Sequence, residues 1–377
     1  MEKHNIPGVP RYFEPYVSDC FQNTLAAVML YLKQAPEVIL ADYLSFMYDT
    51  ENGYVGLNYL FKPNTTVEFS EEELNTSLEF LYFPVPRPFT DEKAGKEYKD
   101  RITVNMYIEN DKNRAFENVK QLIDNDMPAI VAVDLFYMSY NKIAYQKIHD
   151  LHYVVITGYD EERKCFELFD KWKITNSEYD GALSFDEIAM ARDSENPQSN
   201  ALLGDFKRPL QNIWVTVDIP EEFKISENKI INILTESCRR LGGDRVILGN
   251  KCGIEMLEVL KEDLMRKKDN GIDDRSAYLF RTYYSNTFKA IARSRKRFDT
   301  FIKKVDELLP KNIIDDISVS INNSSKYWDI AANVSLKLSI TKSLALVDNM
   351  CEQLVKIKEE ESRVLESLSS YLKKRAF

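Results

Sequence analysis

Apolar positions in the first 220 residues change period several times. Leu25, Val28, Met29 and Leu32 recur at helical spacing within 21–33, and Ser18 and Asp19 stand just ahead as candidate N-caps. Cys20 is thereby predicted to sit at a helix start. A second helical face, Phe116, Val119, Leu122 and Ile123, runs over 115–125 and is ended by Pro128. Four runs rich in Val, Ile, Phe and Tyr follow, at 129–136, 152–159, 164–170 and 212–219. Gly158, Tyr159, Asp160 and Glu161 read as the hairpin turn between the second and third. The pattern predicts an α+β domain with a helix first and an antiparallel sheet after it.

Beyond Pro220 the texture is helical. Ile230, Ile233, Leu234 and Leu241 form one stripe, and Leu257, Leu260 and Leu264 another. The last segment repeats Leu344, Val347, Cys351 and Leu354, then resumes after a slip at Leu365, Leu368 and Leu372. Packing inside a bundle is the preferred reading of that stripe, although it is also compatible with a homodimer seam. Two domains are expected, 1–220 and 221–377.

Charge supports the same division. The chain has 377 residues and a net charge of −10. Residues 1–220 hold 21 Lys+Arg against 36 Asp+Glu, a net −15, and 221–377 hold 29 against 24, a net +5. The two parts should face different partners or each other. No apolar run approaches the roughly 20 residues of a membrane span, and no apolar signal core follows the first lysine, so a cytoplasmic protein is expected, with no membrane partner. Five scattered cysteines fit neither a disulfide framework nor a zinc knuckle.

The chemistry centres on few residues. A thiolate is stabilised at a helix N-terminus and by a neighbouring imidazolium. Cys20 offers the first setting. Histidine is scarce, only His4, His149 and His152. His4 is expected in a frayed end, and His149 with His152 lacks a third ligand spaced to complete a metal site. His152 opens a strand whose partner ends at Asp170, so a hairpin would bring the two together. Cys20, His152 and Asp170 then supply nucleophile, base and orienting acid. The other cysteines read as small hydrophobes in the core.

The order Asp19-Cys20, then Leu151-His152-Tyr153-Val154-Val155-Ile156-Thr157-Gly158, then Phe169-Asp170 and Leu183-Ser184-Phe185-Asp186-Glu187-Ile188 resembles papain-like cysteine peptidases, most of all those that cut bacteriocin leaders. The stretch Val133-Asp134-Leu135-Phe136-Tyr137-Met138-Ser139-Tyr140, running through Tyr145 to His152, is similar to the N-terminal domain of the butirosin-biosynthesis acyltransferase family, to which a closthioamide amide synthetase looks related. The resemblance covers about 12–190. It implies a papain-like fold whose N-terminal helix carries the cysteine and whose sheet carries histidine and aspartate. It also implies amide formation: an acyl group moves from an acyl or peptidyl carrier-protein thioester to the cysteine, then to a small amine. No cofactor is implied beyond the carrier's phosphopantetheine arm.

One departure concerns the oxyanion hole. Papain-like enzymes place a glutamine about six residues before the cysteine, where this chain has Glu14. A carboxylate is no donor unless protonated. The Cys20 N–H would then be joined by Gln22, Asn23 or a tyrosine hydroxyl such as Tyr137, Tyr140 or Tyr145.

The run 275–298 carries Arg275, Arg281, Lys289, Arg293, Arg295, Lys296 and Arg297 with no acid, interleaved with aromatic residues. An acidic chain of pI near 5.2 argues against nucleic acid. A solvated helix face is one reading of the run. Docking of an acidic carrier by Arg275, Arg281, Arg293, Arg295 and Arg297 is the other. The expected activity is a cysteine-dependent amide-forming acyltransferase of antibiotic biosynthesis, with a diamine as a candidate acceptor. A peptidase and a non-catalytic binding module on the same fold are the alternatives.

Overall fold

The computed structural model describes residues 2–12, 14, 18–61, 79–83, 86–89, 98–172, 177–200 and 204–375. They fall into two compact units. One takes the described residues within 1–36 and 81–223, the other those within 37–61, 79–80 and 224–375. A strip of the first 220 residues is therefore counted with the helices.

The first unit is built on one mixed sheet. Its strands are β1 (Lys3–Asn5), β2 (Leu81–Tyr82), β3 (Arg87–Pro88), β4 (Ile102–Ile108), β5 (Ala129–Asp134), β6 (Leu151–Asp160), β7 (Cys165–Trp172), β8 (Ser177–Ser184) and β9 (Trp214–Asp218). The order across the sheet is β8-β7-β6-β5-β9-β4-β2, with β1 on β6 and β3 on β4. The expected antiparallel sheet is corrected at its far edge, where β2 and β3 pair with β4 in parallel. Every residue of β5 is buried, as is β6 from His152 onward. Strands covered on both faces show unbroken apolar runs rather than alternation.

The hairpin between β6 and β7 turns at 161–164, not at 158–161. Gly158 lies inside β6, at a register shift, because β1 comes too close for a side chain: a Cβ there would meet the His4 carbonyl oxygen at 2.7 Å. His4 is accordingly not frayed. It pairs in register with Tyr159 and its Nε2 meets Asp126 Oδ1 at 2.9 Å.

Three helices of this unit matter for the site. They are α1 (Cys20–Tyr31), α2 (Lys112–Asp124) and α3 (Phe185–Arg192). Asp19 caps α1 in a reciprocal box: its carboxylate accepts from Gln22 N at 2.8 Å, and Gln22 Oε1 accepts from Asp19 N at 3.1 Å. From Asn23 to Met29 every residue of α1 is buried, so the helix runs through the unit's interior and its polar start fixes where Cys20 stands.

The second unit holds α4 (Glu227–Leu241), α5 (Met256–Asp269), α6 (Ser285–Lys304), α7 (Lys311–Thr341) and α8 (Ala345–Arg375). Its core includes Trp328, which packs against Phe46 and Phe288 at ring-centroid distances of 5.5 and 5.2 Å. The stripe of α8 does not slip. It runs through Val347, Cys351, Leu354, Ile357, Glu361, Val364, Leu368 and Tyr371, all buried, while Leu365 and Leu372 are half-buried. A charged residue in the stripe had disguised its period. Glu361 accepts from Arg295 Nε at 2.8 Å and from a second guanidinium nitrogen at 2.9 Å, with both side chains fully buried. Ser324 and Trp328 also donate to it.

This pair corrects the reading of the basic run. Arg295 is interior and cannot belong to a docking face. Arg297 is half-buried, and its charge draws down the carboxyl of Asp42, which desolvation nonetheless pushes up to about 6. Arg293 is half-buried, and Arg275 and Arg281 are exposed. Among the described residues, no helix is long and apolar enough to cross a membrane.

Breaking one side of a buried pair strands the other charge, at a cost of roughly 3–5 kcal/mol, whereas replacing both by apolar residues of similar size is often neutral. Glu361→Leu should therefore destabilise the helical unit by about that amount in denaturant titration, and Arg295→Met with Glu361→Leu should recover most of the loss. A double variant no better than the single would show that the other donors to Glu361 matter more than the ion pair.

Candidate active site

Cys20 is the first residue of α1. Its backbone N–H has no carbonyl four residues back within the helix, so it is one of the orphan donors that favour negative charge there. The thiol is half-buried. His152 lies near the start of β6 and Asp170 towards the end of β7, and both are almost fully buried. Antiparallel pairing aligns Val155 with Phe169, which brings the ends carrying His152 and Asp170 side by side. His152 Nε2 meets Asp170 Oδ1 at 2.6 Å. With Nε2 taken by the carboxylate, Nδ1 is the ring nitrogen left for the hydrogen bond that joins the imidazole to the Cys20 thiol. The structure thus brings together the three residues singled out in the sequence.

Burial alone would push the His152 pKa down. The charges of Asp170 and Cys20 and the hydrogen bonds to both outweigh it, and the imidazole is held well above its ordinary value of 6.5. A group raised on folding contributes stability that is fully present below its unfolded pKa and is lost as pH rises through the folded one. The pair thus stabilises the fold at neutral and acid pH and weakens it in alkali.

The second oxygen of the carboxylate is also occupied. Tyr140 donates its hydroxyl to Asp170 Oδ2 at 2.5 Å, and its ring stacks on Tyr179 with centroids 4.1 Å apart. Tyr140 is therefore placed behind the acid and not at the thiol. Asn23 is likewise engaged in the turn before α1, where Oδ1 accepts from Glu14 N at 2.9 Å and Nδ2 donates to Asp19 O at 2.9 Å. Gln22 Oε1 belongs to the capping box.

A cavity of about 10 Å³ beside the thiol is lined by Tyr12, Cys20, Asn23, Thr24, Tyr153, Phe169 and Asp170. The tyrosines at the thiol are hence Tyr12 and Tyr153, whereas Tyr137 and Tyr145 are on the loop that leads to β6. Tyr153 follows the histidine in sequence, and its ring packs edge-on against Phe21 of α1 at 4.9 Å. A space of this size takes about one water.

His149 belongs elsewhere. Its Nδ1 meets Asp134 Oδ2 at 2.6 Å, its ring stacks on Phe136 at 4.1 Å, and Ser194 donates to the same carboxylate at 2.6 Å. Asp134 also accepts from the backbone N–H groups of Phe136 and Asp150, so this network closes the loop between β5 and β6.

In an NMR pH titration His152 should stay imidazolium through pH 7. Asp170→Asn removes the opposing charge, leaves burial opposed by Cys20 alone and should bring the transition down. An unchanged midpoint in Asp170→Asn would mean that the carboxylate does not govern this imidazole.

No curated protein matches the chain. Residues 49–171 match the family model described as butirosin biosynthesis protein H, N-terminal, a stretch that contains His152 and Asp170 and begins after Cys20, and this supports the chain's likeness to the butirosin-type acyltransferase family.

Proposed function

We propose that the chain is a thiol acyltransferase of natural-product biosynthesis on a papain-like fold, which moves an acyl group from a carrier-protein thioester through Cys20 to an amine. The observation that carries this is the line Cys20, His152, Asp170 at a helix N-terminus, with the imidazole pKa held up by its two partners. The match of 49–171 to a biosynthetic family favours transfer over proteolysis.

The steps balance without a cofactor. Cys20 as thiolate adds to the thioester carbonyl, and the Cys20 backbone N–H faces the developing oxyanion. The bond to the carrier sulfur breaks, and that sulfur leaves with the proton of His152. The neutral amine then adds to the acyl-cysteine, gives its proton to His152, and expels Cys20 as thiolate. One thioester and one amine become one amide and one free thiol. Water competes for the acyl-cysteine, so the site must hold the amine against it, in the space beside the thiol that the rings of Tyr12, Tyr153 and Phe169 bound. The net −15 of the first 220 residues raises the local concentration of cations, which favours a diamine held by one protonated nitrogen while the other attacks. Arg275 and Arg281 are the exposed members of the basic run left to meet an acidic carrier.

Intact-protein mass spectrometry after mixing with acylated carrier proteins tests the acyl-enzyme. The adduct should be absent in Cys20→Ala and retained in Cys165→Ala and Cys351→Ala. Because members of such a triad act as a unit, His152→Ala should lower the rate nearly as much as loss of Cys20, and Asp170→Asn less than either. An adduct that survives in Cys20→Ala sinks the mechanism, and cleavage of unlabelled peptides without amide formation would identify a peptidase instead.

A further inference from the structure

We infer that Tyr140 is a positioning residue for His152: through Asp170 Oδ2, and braced by Tyr179 and Glu187, it limits how strongly the carboxylate draws on the imidazole. The inference rests on the proposed role of His152 as the proton carrier, but its first test needs no substrate.

The geometry is specific. Asp170 is buried, with one oxygen on His152 at 2.6 Å and the other on the Tyr140 hydroxyl at 2.5 Å. Tyr140 is half-buried and comes from the loop after β5, far in sequence from the strand it serves. Each side of it is tied down. Ser139 N donates to Glu187 Oε1 at 2.7 Å, and Asn141 Oδ1 accepts from Ala144 N at 3.0 Å. Glu187 stands in the first turn of α3, where Ser184 caps the helix by accepting from Glu187 N at 3.2 Å. The ring of Tyr140 lies on Tyr179, with an interplanar angle of 9°. Tyr179 is the residue of β8 directly across from Asp170, and its own hydroxyl donates to Ala182 O at 2.9 Å. The segment Ser184-Phe185-Asp186-Glu187 thus has a task that its sequence does not state, which is to hold the loop that delivers Tyr140.

A carboxylate that accepts a second hydrogen bond has part of its charge drawn off by that donor, so it is a weaker partner for the imidazole on its other oxygen. The groups facing His152 are Asp170 from β7 and Cys20 from α1, and those facing Tyr140 are Asp170, Tyr179 and Glu187. Burial, and then the charge of Asp170, keep the Tyr140 hydroxyl protonated far into alkali, so it remains a donor throughout the working range. Loss of that donor should strengthen the pull of Asp170. His152 then gives up its proton at higher pH, and the amine step, which needs the neutral imidazole, also moves up in pH.

The experiment compares Tyr140→Phe, Tyr179→Leu and Tyr179→Phe with the unaltered protein. NMR titration of His152 in the free protein should show an upward shift of up to about one unit in Tyr140→Phe, and a smaller shift of the same sign in Tyr179→Leu, which removes the shelf under the ring. Tyr179→Phe keeps the ring and should titrate as the unaltered protein does. In turnover with an acyl thioester and an amine, the half-maximal pH of Tyr140→Phe should rise in step, with up to about a tenfold loss of rate below it. A folded Tyr140→Phe with an unmoved or lowered His152 midpoint overturns the inference, and if that variant does not fold, an unmoved midpoint in Tyr179→Leu does the same. Shifted NMR midpoints with no amide formation by any variant would uphold the positioning role and reject the acyltransferase reading instead.

Discussion

A buried carboxylate needs hydrogen-bond donors at its oxygens, and Asp170 is the point where this unit meets that demand. One oxygen is met by an imidazole from β6, the other by a phenol from the loop that leads into that strand. That loop leaves β5 at Asp134, passes Tyr140 and returns into β6 at Leu151, where His152 follows. Its closure depends on a second buried acid. Asp134 gathers two backbone N–H groups, His149 and Ser194, which fixes both ends of the loop at once. Two of the three histidines are thus divided between these two acids, one for structure and one at the thiol.

The thiol itself is placed by a different device. α1 is interior along most of its length and could slide or rotate against the sheet if packing alone held it. The capping box at Asp19 and Gln22, and the tie from Asn23 back to Glu14, define its first turn through directional hydrogen bonds. Glu14, whose carboxylate is unsuited to donate at an oxyanion, donates its backbone N–H to Asn23 Oδ1 in that tie. Asn23 takes part in the same construction through Oδ1 and one hydrogen of Nδ2. A polar side chain near a nucleophile has to be counted after the helix cap has taken what it needs.

The Cys20 position, the order of β5, β6 and β7, and the meeting of His152 with Asp170 were legible because each rests on local patterning or on a single hairpin. Other features depend on contacts between distant segments and left no periodic trace. Tyr140 reached the list of candidates for its proximity to His152 in sequence, and nothing there pointed to Asp170. The strand 102–108 went unread, although it pairs with β9 in the middle of the sheet. Gly158 looked like a turn residue because glycine favours turns, yet here it makes room for β1. In the helical unit a buried arginine passed for a surface charge, and its partner Glu361 broke the apparent stripe of α8. Burying one charge hides two signals, since a charged residue at a core position lowers the apolar count of its own helix while it enlarges the apparent surface charge of another.

Transfer and hydrolysis share the triad and differ in what reaches the acyl-cysteine. Hydrolysis needs a water at the carbonyl, and water is far more abundant than any amine. Selection of an amine would therefore rest on how the site holds it, beside a thiol whose surroundings include the rings of Tyr12, Tyr153 and Phe169. On the proposed chemistry His152 must lose its proton before it can take one from either nucleophile. An imidazole held too high would slow both attacks alike, and one held too low would not form the ion pair with Cys20. The phenol on the far oxygen of Asp170 acts on that balance from outside the reacting atoms, so it bears on the rate of both attacks while the holding of the amine decides between them.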